Sequence, residues 1–282
     1  MNKLFCFGLG YSADGLAARL RAAGWAVAGT TRSAEKRDAL AARGIAAFAF
    51  AFDGTTPLPA AALDGVTHVL VSIPPDASGD VVLRHHAGEL GAATWIGYLS
   101  TTGVYGDQGG AWVDESTPVA PNAPRSRWRA AAEAAWLASG LPVQIFRLAG
   151  IYGVGRSQFD DLRAGRARRI VKPGHLFSRI HVDDIAGVLK ASIVRPRPRA
   201  IYNVCDDEPA ASADVMEYAA SLLGVTPPPS IPLEQAQLSP LAASFWADNK
   251  RVRNDLVKSE LEFSLLYPTY REGLRAVLEA GG

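Results

Sequence analysis

Apolar and polar positions alternate in two distinct rhythms along the first half of the chain. Lys3–Phe7 is a compact apolar run that stops at Gly8, and Asp14–Ala23 then places Leu16 and Leu20 on one face of a helix. Gly24 closes that helix. Trp25–Thr31 reads as a second strand and Ala34–Arg43 as a second helix ending at Gly44. Further strand-like runs follow at Ile45–Phe52, Val66–Ile73, Thr94–Ser100 and Val143–Leu148, with helical stretches between them. Apolar runs continuous enough to be buried on both faces, alternating with helices, predict a parallel, doubly wound α/β sheet of the Rossmann type.

Past Gly150 the rhythm loosens. The segment 151–177 is mixed, Arg179–Val194 contains a helix, Ala200–Val204 is a short strand and Ala211–Leu223 another helix. Pro227, Pro228, Pro229 and Pro232 form a stiff connector before Asn249–Leu256 and Tyr270–Glu279. The expected organisation is a doubly wound α/β domain over 1–150, joined by about 178–205. A small, discontinuous C-terminal substrate lobe is expected from about 151–177 and 206–282.

Composition narrows the class. The 282 residues carry 29 Lys plus Arg against 28 Asp plus Glu, a formal charge of +1, so no global field draws the chain to nucleic acid or an anionic membrane. No apolar stretch approaches the roughly 18 to 20 residues needed to span a bilayer. The N-terminal MNKLFCFGLGYSADG lacks the apolar core of a signal peptide. Cys6 and Cys205, far apart within strand-like runs, read as free buried thiols, and a reducing cytoplasm is the expected compartment.

The first candidate site is GLGYSA, Gly8–Ala13, between the first strand and the first helix. In this G-x-G-x-x-G/A pattern Gly8 permits a tight turn, Gly10 lets backbone approach a pyrophosphate and Ala13 allows close helix packing. The N–H groups of Tyr11 and Ser12 open the helix, where unpaired donors and the helix dipole favour phosphate. The second strand ends Thr31-Arg32-Ser33. Arg32 lies 24 residues after Gly8, where an NAD-selective fold presents an acid to the ribose, and no Asp or Glu occurs between Val27 and Ala34. A guanidinium there pairs with a ribose 2′-phosphate, with Ser33 and Lys36 as helpers, so NADP is expected ahead of NAD. The other reading of Arg32 is a solvated arginine at a helix start. Ile73 and Pro74, at the end of VSIPP, are expected beneath the adenine ribose and pyrophosphate; a rigid strand exit explains the two prolines equally well.

Taken with the glycine loop, LSTTGVYGD (99–107), the helix Trp128–Trp136, RLAGIYGVGRS (147–157), RIHVDDIA (179–186) and YNVCDDEPAAS (202–212) resemble the extended short-chain dehydrogenase/reductases of the NAD-dependent epimerase/dehydratase superfamily. The resemblance implies a Rossmann domain plus a small lobe that commonly takes nucleotide-linked sugars. It places the catalytic Ser/Thr at Thr101, beside Ser100 and Thr102. The family's Tyr-x-x-x-Lys pair is absent: aligned on Glu133, the tyrosine position is Arg125 and the lysine position Arg129. Arginine, with a pKa above about 12, is no general base at neutral pH, though Arg129 could hold a ribose or phosphate. The chain thus resembles the divergent, atypical members.

Tyr105, Tyr152 and His181 are the alternative acid/base candidates; each also reads as packing or as lobe closure. His85 and His86 are adjacent on a helix and point apart, so no metal site is expected. Arg156, Arg163, Arg166, Arg168, Arg169 and Lys172 form a positive run that either binds an acidic group or is a solvated face. Phe177, Phe245 and Trp246 are candidate apolar walls. The expected function is an NADP-dependent oxidoreductase or epimerase-like enzyme acting on a small, anionic or nucleotide-linked substrate. Thr101 would orient that substrate, and a homodimer is plausible from the fold. The alternative is a non-catalytic cofactor-binding sensor.

Overall fold

The computed structural model describes residues 2–50 and 58–281. The chain begins β1 (Lys3–Phe7), α1 (Tyr11–Ala22), β2 (Ala26–Thr31), α2 (Ala34–Ala42), β3 (Ala46–Ala49), β4 (His68–Val71), α3 (Val81–His86) and β5 (Trp95–Thr101). It continues through β6 (Trp112–Val113), α4 (Pro124–Ala138), β7 (Val143–Leu148), β8 (Gly150–Tyr152), α5 (Gln158–Arg163), β9 (Arg169–Val171), β10 (Arg179–His181), α6 (Val182–Val194) and β11 (Ile201–Val204). The remainder is α7 (Ser212–Leu223), β12 (Ser230–Pro232), α8 (Pro240–Ala247), β13 (Arg251–Val252), α9 (Asp255–Leu261) and α10 (Tyr270–Glu279).

Seven strands form one all-parallel sheet in the order β11-β7-β5-β4-β1-β2-β3, the doubly wound arrangement expected. Its centre is apolar on both faces: Leu4 to Phe7, Val69 to Val71 and Ile96 are fully buried. Aromatic side chains thicken the core, with Phe5 and Phe7 edge to face at 4.9 Å and Tyr98 tilted on Trp136 at 5.9 Å. From β1 the chain winds outward to β2 and β3, then returns to place β4 on the other flank of β1. That reversal is a topological switch point, and the crevice outside the carboxyl ends of β1 and β4 is where such sheets hold ligands.

Two compact units emerge: 1–101, 124–147 and 185–202 form the first, and 102–123, 148–184 and 203–282 the second. Residues 102–123 and 178–184 fall in the second unit, a different division from the sequence boundaries. In the second unit Phe159, Val215, Tyr270, Leu274 and Val277 form their own core. The proline-rich connector is not merely a linker, because Ser230–Pro232 pairs in parallel with β9. The helix expected over 14–23 starts three residues earlier, since Gly10 is its N-cap. The strand expected over 45–52 is Ala46–Ala49, with Phe50 buried beyond it; residues 51 and 52 lie outside the described residues. Cys6 and Cys205 are free and buried.

Candidate dinucleotide site

At the switch point the loop is set by backbone. Gly8 has φ +90°, and a Cβ there would lie 2.8 Å from Ser72 Oγ and 3.1 Å from Ile73 Cγ1, so only glycine fits. Its N–H donates to Thr30 Oγ1 at 2.8 Å and its carbonyl accepts from Ser72 Oγ at 2.5 Å, tying the turn to both flanking strands. Gly10 differs: beyond its chain neighbours a Cβ would meet no atom of the described residues within 4 Å. It is the N-cap of α1 and gives the helix no side-chain cap, so the donors of the first turn stay with backbone geometry alone. Ala13 is fully buried, and Gly15 lets α1 approach α6, where a Cβ would lie 3.0 Å from that of Ala186. A tight turn, an open second glycine and an uncapped helix start are the features a pyrophosphate needs. The residues present fit that group.

Around this loop the structure brings most of the expected residues to one end of the sheet. Tyr11 and Ser12 are half-buried in the first turn of α1, Thr31 is buried at the end of β2, and Arg32 is exposed just beyond it. Ser33 has another duty, accepting the Lys36 N–H at 3.1 Å as N-cap of α2 and donating to Glu35 at 2.5 Å. Past β4, Ile73 is buried against the turn while Pro74 is exposed. A shallow cavity of about 460 Å³ lies at the opposite end of the strands, lined by Lys3, Arg21, Trp25 and Phe48, and is unrelated to the loop.

The β5–α4 pair is built from side chains. Ser100 Oγ donates to Glu133 Oε1, and Arg147 grips the same carboxylate through Nη2 at 2.8 Å and Nε at 3.2 Å. All three are buried, so the ion pair is desolvated and held by its hydrogen bonds. Arg129 Nη1 donates to the Leu99 carbonyl at 2.7 Å and to Tyr98 Oη at 3.3 Å, which fixes its guanidinium beside the end of β5. Arg125, one turn earlier, is exposed. Thr101 is half-buried at the last residue of β5. Nearby Asp80 caps α3 through the Leu83 N–H at 2.9 Å, and burial pushes its carboxyl up against the pull of that N–H, Trp136 and Arg129. The Ser100–Glu133–Arg147 network was missed from sequence. A lone arginine in the buried strand VQIFRL, which demands an acidic partner, was the available signal.

The alternative acid/base candidates lie in the second unit and are built into its packing. Tyr105 donates to Asn203 Oδ1 at 2.8 Å in a buried setting. Tyr152 lies against Gly273, where a side chain would collide with its hydroxyl, and burial followed by Asp206 and Asp184 pushes that hydroxyl well above the usual phenol range. His181 accepts the Asp183 N–H on Nδ1 at 3.2 Å and packs edge-on to Tyr267 at 4.3 Å; burial lowers it, against Asp183. Asp184 accepts the Leu266 and Tyr267 N–H groups at 2.7 and 3.1 Å, anchoring the loop before α10. The arginine run is largely engaged within the protein: Arg166 pairs with Asp161, Arg169 with Glu217, and Arg168 donates to the Gln237 carbonyl. Among the described residues no group of three or more His, Cys, Asp or Glu could hold a metal ion, and no helix is long and apolar enough to cross a membrane.

Comparison with known proteins gives the family context. No protein-family model matches the chain. Protein YeeZ of Escherichia coli K12 is 28% identical over 250 residues, 81% of this chain and 86% of its own length. A 3-diazoavenalumate denitrifying reductase of a Streptomyces species is 29% identical over 186 residues, 59% of each chain. Among solved structures, a conserved protein of Silicibacter pomeroyi DSS, described as functionally unknown, is 49% identical with a TM-score of 0.93, covering 99% of both chains. The chain belongs to that protein's family. Its fold is shared with a putative NAD-dependent epimerase/dehydratase of Methylobacillus flagellatus, 24% identical with a TM-score of 0.74 over 99% of this chain and 98% of that one. At 16% identity it matches both a dTDP-glucose 4,6-dehydratase of Bacillus anthracis in complex with NAD and the human epimerase family protein SDR39U1 with NADPH. The TM-scores are 0.76 and 0.73, with 99% of this chain covered in each case and 96% and 99% of theirs.

Proposed function

We propose that this protein holds a nicotinamide dinucleotide, NADP ahead of NAD, and works as an epimerase/dehydratase-like oxidoreductase on a small anionic or nucleotide-linked substrate. The observation that carries the reading is the pair of glycines at the switch point: Gly8 held at φ +90° and Gly10 with no atom of the described residues, beyond its chain neighbours, within 4 Å of its would-be Cβ. Support also comes from fold neighbours whose structures contain NAD or NADPH.

In this reading the first turn of α1, at Tyr11 and Ser12, takes the pyrophosphate, with Gly10 leaving room for it, and Arg32 takes the 2′-phosphate. Thr31, Ile73, Pro74 and Ser100 line the pocket. Ser33, already capping α2, contributes less than its position implies. The nicotinamide supplies the hydride chemistry when bound. Thr101 orients a substrate hydroxyl, and Arg129 secures the strand end from which Thr101 projects. With Arg125 and Arg129 in place of the Tyr-Lys pair, proton transfer follows a route other than the family's usual one. The buried free thiols are consistent with work in a reducing cytoplasm.

Titration of the purified protein with NADPH and NADH, followed by an oxidation assay against carbonyl compounds and nucleotide sugars, tests this reading. Saturable NADPH binding tighter than NADH, with turnover of at least one carbonyl, is expected. Tighter NADH binding would overturn the role of Arg32. A second reading, a non-catalytic dinucleotide-binding sensor, is favoured by one observation: Ser100 and Arg129 are both engaged with protein groups. Binding without turnover on any carbonyl would select it.

A further inference from the structure

In the second unit a buried histidine ring has neither nitrogen satisfied among the described residues. His175 is 1% exposed, and neither ring nitrogen has a hydrogen-bond partner among the described residues. A buried donor or acceptor left in that state costs free energy unless something else satisfies it. The backbone that presents His175 is firmly held. Asn249 Nδ2 donates to the Gly174 carbonyl at 3.0 Å and Asn249 Oδ1 accepts the Leu176 N–H at 3.2 Å, gripping the chain on both sides of the histidine. Asn249 is itself fixed: its carbonyl accepts the Gln108 and Gly110 N–H groups, both at 3.0 Å, and its N–H donates to Asp107 Oδ1 at 2.8 Å. Three segments thus converge to hold one unsatisfied imidazole, the arrangement of a preorganised site rather than of loose packing.

Its surroundings define the chemistry. Phe177 and Trp246 wall the imidazole, with centroids 4.6 and 5.4 Å away, and meet each other edge to face at 5.0 Å. Two ammonium groups stand nearby. Lys172 Nζ donates to the Trp246 carbonyl at 2.7 Å; Lys250 Nζ donates to the Gly106 carbonyl at 2.9 Å and lies 3.6 Å from Asp248. Burial, then Lys172 and Lys250, pull His175 down to about 4 against Asp107 and Asp248. At neutral pH the ring is therefore uncharged, with one donor and one acceptor to offer. Trp246 sits on α8, none of whose residues is buried, so that wall can move without opening a core.

We propose that Lys172, His175, Phe177, Trp246 and Lys250 form a binding site for a planar aromatic anion. The ligand's ring packs against Phe177 and Trp246, its negative charge faces the lysines, and a polar substituent pairs with His175. The site lies wholly within the second unit and requires no dinucleotide, so it stands or falls separately from the reading of the glycine loop.

The test uses the full chain without nicotinamide cofactor. It is titrated with 4-hydroxybenzoate and with uridine monophosphate, and with acetate and inorganic phosphate as non-aromatic controls. Tryptophan fluorescence and the His175 ring-proton NMR signal, assigned by its loss in His175→Gln, are the readouts. At least one aromatic anion should bind saturably and move the His175 signal, and which one does so distinguishes an aromatic acid from a nucleotide as the source. Affinity should fall at least about tenfold in His175→Phe and stay within about threefold in His175→Gln, which keeps a donor and an acceptor. No saturable binding of either aromatic anion overturns the proposal, as does binding that leaves the His175 signal unmoved or is matched by acetate or phosphate. Should His175→Phe fail to fold, the signal in the unsubstituted protein still decides.

Discussion

The β1–α1 turn and the β5–α4 pair of the first unit sit at the same carboxyl end of the sheet, yet they hold their places by different means. The turn is specified by what is missing: no Cβ at Gly8, where one would strike Ser72, and none at Gly10, where one would occupy open space. The β5–α4 pair is specified by what is present: Ser100, Glu133 and Arg147 in one buried network, and Arg129 on the Leu99 carbonyl. A backbone cradle tolerates change in its surroundings and still fits a phosphate. A side-chain constellation can keep its scaffold and change its chemistry, which is what the proposed function assigns to the arginines at 125 and 129. On the proposed function, holding a cofactor and using it are separable properties of this one sheet.

The sharpest way to break that comparison is at the network. Glu133→Gln leaves Arg147 buried without a full counter-charge and should destabilise the protein by about 3–5 kcal/mol in urea unfolding. A loss under about 1 kcal/mol would mean that the network does not hold β5 to α4. Next comes Gly8→Ala, which forces a side chain into positive φ and against Ser72. It should cost about 1–3 kcal/mol, read as a lower melting temperature, and weaken dinucleotide binding as well. Arg129→Ala removes the donors to Leu99 and Tyr98. A stability loss of about 1–2 kcal/mol with NADPH affinity unchanged is expected, because that arginine belongs to the second region and not the first. Loss of binding in that variant would merge the two regions into one site. The smallest stability effect belongs to exposed Arg32: Arg32→Ser should stay within about 0.5 kcal/mol in stability yet weaken NADPH about tenfold, with NADH unaffected.

The same contrast explains what could be read from the chain alone. Strand runs such as Lys3–Phe7 and Val143–Leu148 are apolar throughout because both faces of a parallel sheet are covered, so periodicity located them to within a residue. The glycine loop was legible because its tight turn depends on residue size. Side-chain networks are long-range and leave no local trace: Ser100 and Glu133 are 33 residues apart, and Asn249 reaches Gly174 across 75. The division of the chain escaped for the same reason, since residues 102–123 belong with segments far along the sequence. The β12 strand was hidden by prolines that read as a linker, although an edge pairing with β9 tolerates them.

Gly10→Val tests the central claim most directly, because an added Cβ meets no atom of the described residues within 4 Å beyond its chain neighbours, and the residue already sits in extended backbone, at φ −96°. The account predicts a melting temperature lowered only by the small cost of valine at the N-cap of α1, and NADPH binding weakened more than about a hundredfold relative to the unsubstituted protein. Equal NADPH affinity in the two proteins, or no NADPH binding by either, would contradict it.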